Sequence, residues 1–490
     1  MLIRSAEERD FVFNLLVTLA LAFSVATNPY FISPSIGVYL LPYPFLLLFV
    51  VTYCDWRAVL RYVEPIDWLA VGFVAVTTFA VIVHPNRKST TYIALYSYSA
   101  IFMAVLLRNA IGLWGARRFL QDMNLLGVMM ISALAGFEFC WRSLAGRSPI
   151  SFLPLANPPL SICGYSIPRV YAFSVEPTYL AWYFTTLGTL AIWHLWRMPY
   201  FTQSTKYTAS AIFVFANIVT WSISGLACLV IAGGAILFYM AIFDRSTLAS
   251  YLSFSPEIIK RGAVVAVFAI TPLLGLAKDM PSCLDYAGLK VFRTFSDITA
   301  QQRLAEMEAH LAQTRVELTK ATPTGKTAIY AVQESLLNSI EQLDTTNPKA
   351  GMSRFQIWKH DLSLAFQKPL LGWGPGYNSS IGSDSSLNIF LFIFMEQGII
   401  AAALFLMFML SIAWRMLRSG SPSRYVYLLA YGAGSLHLLT QTKHFHAHLW
   451  LVVGLFWMDY VKQIRSQIEQ RQDSSQHQHL HPISSSEYQR

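Results

Sequence analysis

Residues 387–414 read LNIFLFIFMEQGIIAAALFLMFMLSIAW and contain a single charged side chain, that of Glu396. A helix that crosses the hydrocarbon core of a bilayer needs about 20 predominantly apolar residues, so this stretch is long enough to span a membrane. Further apolar segments lie near 11–27, 37–54, 66–83, 92–107, 124–140, 177–196, 208–222, 225–243, 262–277, 426–441 and 447–461. The sequence therefore predicts an all-α polytopic membrane protein with about 12 transmembrane helices.

The composition of the whole chain agrees with this prediction. Of the 490 residues, 54% are hydrophobic and only 13% are charged, whereas charged residues make up roughly a quarter of a soluble protein. The net charge of +9 is typical of a membrane protein with basic cytoplasmic loops, and we expect no nucleic-acid partner. A soluble protein is excluded.

Basic residues favour alternate loops, and this bias predicts the orientation. The apolar run after MLIRSAEERD lacks a small-residue cleavage site, so we expect a retained helix and an inner N-terminus. The inner loops then hold Arg57, Arg61, Arg108, Arg117, Arg118, Arg197, Lys206, Arg245, Lys260, Arg261, Arg415, Arg418 and Arg424. Both termini are predicted to be cytoplasmic.

Four regions follow from this topology. Residues 1–277 carry helices 1–9, residues 278–385 form a large periplasmic loop, and residues 386–462 carry helices 10–12. Residues 463–490 are rich in Gln, Ser and His, and predict a disordered cytoplasmic tail. Within the periplasmic loop, apolar residues recur at helical spacing on both sides of Pro323, which predicts a helical hairpin at about 297–344. A solvated lid and a substrate-shaping element are equally consistent with it.

The segment RVYAFSVEPTYLAWYF (169–184) precedes and enters an apolar helix. Pro177 suits the first turn of that helix, so Glu176 lies at the helix N-terminus, where a capping role is one interpretation. The other interpretation is a polar pocket at the membrane surface, in which Arg169 contacts a phosphate group with two hydrogen bonds.

Residues 351–405 form the most informative stretch. Ser353 is a candidate cap for a helix on which Arg354, Trp358 and Asp361 share one face. Three glycines then alternate along the chain, which predicts a closely packed backbone with unusual dihedral angles; they are Gly372, Gly374 and Gly376. Glu396 is costly to bury in an apolar helix, and a functional role and a hydrogen-bonded packing role are both open.

The segment TKHFHAHLW (442–450) precedes the last apolar run. His444 and His448 have the spacing to share a metal ion, but no acidic or Cys partner lies nearby in sequence. We therefore favour two other roles for this segment, as a polar stretch at the membrane interface or as a contact to a phosphate group. Lys443 and His444 are then expected to bind substrate. We expect neither a metal nor another cofactor.

Three motifs of this chain resemble those of the O-antigen polymerase and ligase superfamily of bacterial envelope polysaccharide assembly. They are the Arg169 to Pro177 element, Ser353-Arg354 with Trp358, and KPLLGWGPGY at 368–377. The resemblance is strongest over about 351–405 and weaker over 169–230. It implies a metal-independent glycosyltransferase similar in architecture to the C-class membrane enzymes. It also implies transfer of a glycan from undecaprenyl diphosphate at the periplasmic face of the bacterial inner membrane.

Departures from the family pattern favour a polymerase. Ligases of the family carry a His-Asn pair, and here the matching residues are Leu387 and Asn388. Leucine cannot accept a proton, whereas many polymerases lack that histidine and show an acidic element such as Ser383-Asp384-Ser385. The family's Ser-Arg-x-Gly element appears as Ser222-Ile223-Ser224-Gly225, without its arginine.

The chemistry of this reaction assigns expected roles. Loss of a lipid diphosphate requires positive charge, for which Arg169 and Arg354 are the candidates. The acceptor hydroxyl needs a general base, for which Glu176 and Asp384 are the candidates. The candidate substrate-binding residues are Trp358, Trp373, Tyr377, Asn378, Asn388, Lys443 and His444.

Three alternatives remain. One is a ligase that moves finished glycan to lipid A core or protein, and another is a repeat-unit flippase or transporter, although no internal repeat supports it. The third is a scaffold with a degenerate site. Expected partners are the lipid-linked donor and acceptor, membrane lipid, a chain-length regulator and a flippase.

Overall fold

A computed structural model describes residues 63–84, 97–114, 116–145, 160–162, 165–167, 177–220, 222–252, 354–380, 388–421, 423–440 and 447–480, with isolated positions before residue 61 and between 170 and 174. The regular structure in these residues is helical except for one β-hairpin. Its strands β1 (Leu160–Ile162) and β2 (Tyr165–Ile167) pair antiparallel, with Ser161 opposite Ser166. The predicted all-α class therefore holds for the described residues, apart from this hairpin.

The helices follow one another along the chain with few long connections. They are α1 (Asp67–Val83), α2 (Ser97–Trp114), α3 (Arg117–Ala145), α4 (Pro177–Tyr183), α5 (Thr189–Arg197), α6 (Gln203–Ile218), α7 (Ile223–Phe243), α8 (Arg245–Leu252), α9 (Arg354–Gln367), α10 (Tyr377–Ser380), α11 (Ile389–Arg418), α12 (Arg424–His437) and α13 (Ala447–Leu480). A π-helical turn, Phe102–Leu107, lies within α2, and another, Phe184–Gly188, joins α4 to α5.

Four helices in the described residues are long and apolar enough to cross a membrane. They are Ser97–Trp114, Arg117–Leu144, Ser224–Phe243 and Ile389–Arg418. Helix α1 is apolar but shorter, with 17 residues. The chain is thus a membrane protein by the length and composition of its helices. The count of twelve spans stays a prediction, because most of 11–27 and 37–54, all of 262–277 and the hairpin predicted at 297–344 lie outside the described residues.

Small residues bring neighbouring helices together. Helix α2 packs along α13, α11 along α1, and α7 along α12. A Cβ atom added at Gly112 of α2 would lie 3.1 Å from the Trp457 ring, and one added at Gly454 of α13 would lie 2.9 Å from Ile111. Close approach of this kind allows dispersion contacts to hold helices together in lipid, where the hydrophobic effect does not.

Ion pairs join helix ends at one end of the bundle. The pairs are Glu64 with Arg415, Arg117 with Asp459, Asp122 with His194, and Asp244 with Arg424. They place the beginnings of α1, α3 and α12 beside the ends of α11, α5 and α7, respectively. They also place the beginning of α3 beside the middle of α13. All these ends belong to loops predicted to be cytoplasmic, so the predicted inner ends share one side; which side of the membrane they face stays a prediction.

Arg108 corrects one predicted boundary. The fourth apolar segment was expected to end at residue 107, with Arg108 in a loop, but α2 continues to Trp114 and Arg108 is fully buried. Its guanidinium donates to the buried Asp67 carboxylate at 2.5 Å and lies 4.0 Å from the centroid of the Trp457 ring. An anion and an aromatic face together compensate for the desolvation of the arginine, so the charge does not end the helix.

The end of α13 corrects a second boundary. Residues 463–490 were predicted to be disordered, but α13 extends through Leu480. Residues 461–480 contain six Gln, two Arg, one Lys and one Glu, and all four residue types are good helix formers. Because the buried first part of α13 already provides the nucleus, adding further turns requires little additional ordering.

Candidate functional site

The glycine loop, defined as residues 368–378, is the centre of the candidate site. Gly372, Gly374 and Gly376 have φ angles of 69°, 94° and 87°, which non-glycine residues rarely adopt. This confirms the unusual dihedral angles that the alternating glycines predict. Gly374 also allows a close contact, because a Cβ atom at this position would lie 2.5 Å from the His84 side chain at the end of α1.

Helix α11 is interrupted where the glycine loop meets it. Gly398 has φ 85° and ψ 173° inside the helix, a conformation that is essentially restricted to glycine. The loop fills the interruption: the Trp373 amide donates to the Met395 carbonyl at 2.9 Å and the Ile399 amide donates to the Pro369 carbonyl at 2.8 Å. The loop thus provides hydrogen-bond partners for backbone groups that the broken helix leaves without intrahelical partners.

Glu396 binds the rest of the glycine loop through hydrogen bonds. Its side chain is 0% exposed, and its two carboxylate oxygens accept hydrogen bonds from the backbone amides of Gly376 at 2.8 Å and Asn378 at 3.1 Å. Its carbonyl oxygen accepts from the Gly374 amide at 2.9 Å. The geometry therefore favours the packing role among the two that the sequence left open. It also means that these amides of the glycine loop bind the protein itself and do not form a cradle for a phosphate group.

Replacing Glu396 by alanine is expected to release the glycine loop. Two amide groups lose a charged acceptor, and hydrogen bonds to charged groups contribute about 1.5–3 kcal/mol each. Glu396→Gln keeps one acceptor oxygen and should retain part of the stabilisation. The measurement is chymotrypsin cleavage after Trp373 or Tyr377, mapped by mass spectrometry in detergent micelles. Cleavage should rise in the order wild type, Glu396→Gln, Glu396→Ala, and equal protection in all three would contradict this role.

An aromatic stack covers the loop surface. The rings of Trp373 and Tyr377 lie with centroids 4.8 Å apart and an interplanar angle of 25°. The Lys368 ammonium lies 4.0 Å from the centroid of the Trp373 ring, and the indole N–H donates to the Leu364 carbonyl at 2.8 Å. Both rings are half-buried and Lys368 is exposed. The stack therefore offers an aromatic face and a positive charge to a ligand at the surface.

His84 lies beside this stack. Burial, and then the positive charge of Lys368, lower the pKa of the His84 imidazole below its ordinary value. The neutral form therefore predominates at pH 7, and a neutral imidazole can accept a proton. Neither His84 nor a role for Lys368 was predicted from the sequence. A signal for His84 was available, because it ends an apolar segment immediately before Pro85.

Helix α9 supports the loop from one side. It begins at Arg354, whose side chain lies outside the described residues, and its face toward α11 carries Trp358, half-buried, and Asp361, fully buried. Phe355, Leu362 and Phe366 are exposed, the last with 66% of its surface accessible, although the Phe366 ring also meets the Phe394 ring of α11 edge-on at 5.7 Å. At 14 residues the helix is too short to span a bilayer. The exposed apolar side chains alternate with the exposed Lys359, Ser363 and Gln367, and the helix leads into the glycine loop at Lys368.

The two predicted asparagines have structural contacts. Asn388 caps α11, since its side-chain oxygen accepts from the amides of Phe390 at 3.0 Å and Leu391 at 3.2 Å. Asn378 is 2% exposed. Among the three predicted sugar-binding residues of the loop, Trp373 and Tyr377 thus present accessible ring surface, whereas the amide of Asn378 lies beneath them.

The predicted Arg169–Glu176 element is described only in part. Helix α4 begins at Pro177, as its first-turn preference predicts, while Arg169 and Glu176 lie outside the described residues. Between them, the Ala172 amide donates to the Glu138 carboxylate of α3 at 2.7 Å, with Ala172 at φ 47°. Glu138 also pairs with Arg142 at 2.7 Å. The sequence analysis missed this anchor, because the pairing joins positions 34 residues apart.

Two histidines flank Trp182 in the interior. The His437 ring stacks on the indole with centroids 5.2 Å apart, and the His448 ring meets it edge-on at 4.7 Å. Among the described residues, no group of three or more His, Cys, Asp or Glu side chains is arranged to hold a metal. Asp384, Lys443, His444 and His446 lie outside the described residues.

No protein-family model matches the sequence, and no curated protein matches it.

Proposed function

We propose that this protein polymerises undecaprenyl-diphosphate-linked oligosaccharide repeat units into a long surface polysaccharide at the periplasmic face of the bacterial inner membrane. The observation that carries the proposal is that apolar and aromatic side chains are exposed in consecutive parts of the chain. Helix α9 exposes Phe355, Leu362 and Phe366, and the glycine loop that follows it directly holds the half-exposed stack of Trp373 and Tyr377 with Lys368.

This pair of surfaces suits an amphiphilic substrate. An isoprenoid chain favours an apolar helix face at the level of the membrane. A sugar ring favours an aromatic face that binds its C–H groups, and a diphosphate favours a nearby cation. The motif resemblance over residues 351–405 supports the same substrate class, and Leu387 favours polymerase over ligase chemistry.

The proposed reaction is a substitution at the anomeric carbon of the donor glycan. The bond from this carbon to the diphosphate oxygen breaks, and the diphosphate leaves with the electron pair while Arg169 and Arg354 neutralise its charge. A bond forms to the hydroxyl oxygen of the acceptor repeat unit, and the hydroxyl proton passes to a general base. Glu176 and Asp384 remain candidates for the base, and we add the neutral His84 imidazole as a third.

Deleting the gene distinguishes the proposed function from its alternatives. Loss of a polymerase should leave surface glycan as single repeat units. Loss of a ligase should leave long polymer unattached on its carrier lipid, and loss of a flippase should leave repeat units on the cytoplasmic side. Either of the last two outcomes would overturn the proposal.

Removing one predicted cation should abolish the reaction. We expect Arg354→Ala or Arg169→Ala to eliminate polymer, because a diphosphate leaving group then departs without charge compensation. The measurement is polymer length on gels at equal protein level in the membrane. Arg245→Ala is a matched control, since Arg245 lies at the start of α8 at the ion-paired end of the bundle. Normal long polymer in either test variant would contradict the diphosphate role.

Truncating the aromatic stack should slow the reaction without abolishing it. Trp373→Ala removes the ring that contacts both Tyr377 and Lys368, and aromatic contacts of this kind contribute about 0.5–1.5 kcal/mol, or up to roughly tenfold in rate. Trp373→Phe keeps an aromatic face and should retain most activity. The measurement is the amount of polymer formed per unit time. Equal activity of Trp373→Ala and wild type would contradict substrate binding by the stack, on which the proposal rests.

A further inference from the structure

A groove lies at the ion-paired end of the bundle, away from the glycine loop. It has a volume of about 550 Å³ and is lined mainly by Ile66, Met407, Leu410, Trp414, Leu417 and Leu428. This volume is in the range of pockets that hold small ligands, about 300–1,000 Å³. The groove therefore runs between the start of α1, the last turns of α11 and the start of α12.

The lining of the groove is almost entirely apolar. Its polar lining residue, Ser411, donates its hydroxyl proton to the Phe408 carbonyl at 2.6 Å within α11. Met407, Leu410 and Trp414 are each about half exposed, although they lie on a helix long and apolar enough to span a membrane. A hydrocarbon chain matches this lining, whereas a polar ligand would lose hydrogen bonds to water without replacement.

Three arginines lie within four positions of groove-lining residues along the chain, and two of them are paired with carboxylates of the protein. Arg415 pairs with Glu64, and Arg424 pairs with Asp244. The pKa of the Asp244 carboxyl lies well below its usual range, chiefly because the Tyr425 hydroxyl donates to it. Arg424 therefore has a permanent counter-charge.

Arg418 differs from these two. Its guanidinium carbon lies 4.3 Å from the centroid of the Trp414 ring, which itself lines the groove. Within the described part of the chain, Arg418 forms no ion pair with a carboxylate. An exposed cation therefore lies directly beside an apolar groove, and no carboxylate of the described residues pairs with it.

We propose that this groove binds one anionic phospholipid, with an acyl chain along α11 and the phosphate group on Arg418. A guanidinium can donate two parallel hydrogen bonds to a phosphate, and the Trp414 ring holds it at the level of the head groups. A zwitterionic lipid would place its own positive charge next to Arg418, so the site selects a lipid with net negative charge. This site is independent of the proposed polymerase reaction.

The test uses the full-length protein in detergent micelles that contain phosphatidylglycerol or phosphatidylcholine with identical acyl chains. Native mass spectrometry counts retained lipids, and thermal unfolding measures stabilisation. We expect one retained phosphatidylglycerol per chain and at least fivefold less retention in Arg418→Gln. Arg197→Gln is the matched control, because Arg197 lies in the same way over Trp193, at 4.2 Å, and Trp193 does not line the groove; its retention should equal that of wild type.

A second variant tests the apolar part of the site. Ala413 lines the groove and is half-buried, so Ala413→Phe should fill it and reduce retention of phosphatidylglycerol while Arg418 remains. Equal retention of the two lipids by wild type would show ordinary boundary lipid and overturn the proposal. Equal losses in Arg418→Gln and Arg197→Gln, or unchanged retention in Ala413→Phe, would overturn it as well.

Discussion

Gly398→Ala is expected to lower the free energy of unfolding by about 3 kcal/mol or more and to separate the glycine loop from α11. Two effects add. The φ of 85° and ψ of 173° at this position are strained for any residue with a Cβ atom. In addition, the new Cβ atom would overlap the carbonyl group of Leu370 in the loop. Backbone cannot move aside as a flexible side chain can, so the contact between loop and helix must open.

The measurement is thermal unfolding of the purified protein in micelles, together with chymotrypsin cleavage after Trp373. Gly234→Ala is the matched control, because Gly234 lies in the membrane-spanning helix α7 with nothing within 4 Å of an added Cβ atom. An alanine there should be neutral or stabilise the helix by up to about 1 kcal/mol. If both variants unfold at the wild-type temperature, the interruption at Gly398 does not have the conformation described.

Asp67→Asn is the second substitution with a large expected effect. Asp67 and Arg108 are both 0% exposed and lie 2.5 Å apart. The amide oxygen can still accept the hydrogen bond that the Glu64 amide donates at 2.9 Å, so the substitution removes charge and little else. A buried arginine without its carboxylate should cost about 3–5 kcal/mol.

A double variant separates the interaction between the two charges from the effect of each substitution alone. Asp67→Leu combined with Arg108→Met removes both charges, and buried ion pairs replaced by apolar residues are often no less stable. We therefore expect the double variant to unfold at a higher temperature than Asp67→Leu or Arg108→Met alone, which is a large coupling between neighbouring sites. Additive losses in the double variant would contradict the assignment of Arg108 as a buried partner of Asp67.

The sequence predicts those features of the fold that depend on local pattern. Apolar runs near 66–83 and 225–243 correspond to α1 and α7, and Pro177 begins a helix as its geometry favours. The boundary at Arg108 was wrong, because the residues that compensate its charge are distant in sequence: Asp67 is 41 positions away and Trp457 lies in the last helix. Hydropathy along the chain carries no information about such partners.

The features of the candidate site also divide into those that a local sequence pattern predicts and those that depend on distant partners. Alternating glycines from 372 to 376 predict the positive φ angles, because the requirement belongs to the residue itself. The role of Glu396 stayed open, because its hydrogen-bond partners are 18 and 20 positions away. His84 was missed for the same reason, since it meets Gly374 across almost 300 residues. A pattern identifies which backbone is unusual, but only the fold identifies what packs against it.

Reconstituted polymerisation tests the central claim most directly. The purified protein is placed in liposomes with undecaprenyl-diphosphate-linked repeat units and no other protein, and the products are separated by gel electrophoresis and weighed by mass spectrometry. We expect a ladder of lipid-linked chains with two or more repeat units, which disappears in Arg354→Ala. Folded wild-type protein that leaves only single repeat units, or that transfers glycan only when lipid A core is added, would contradict it.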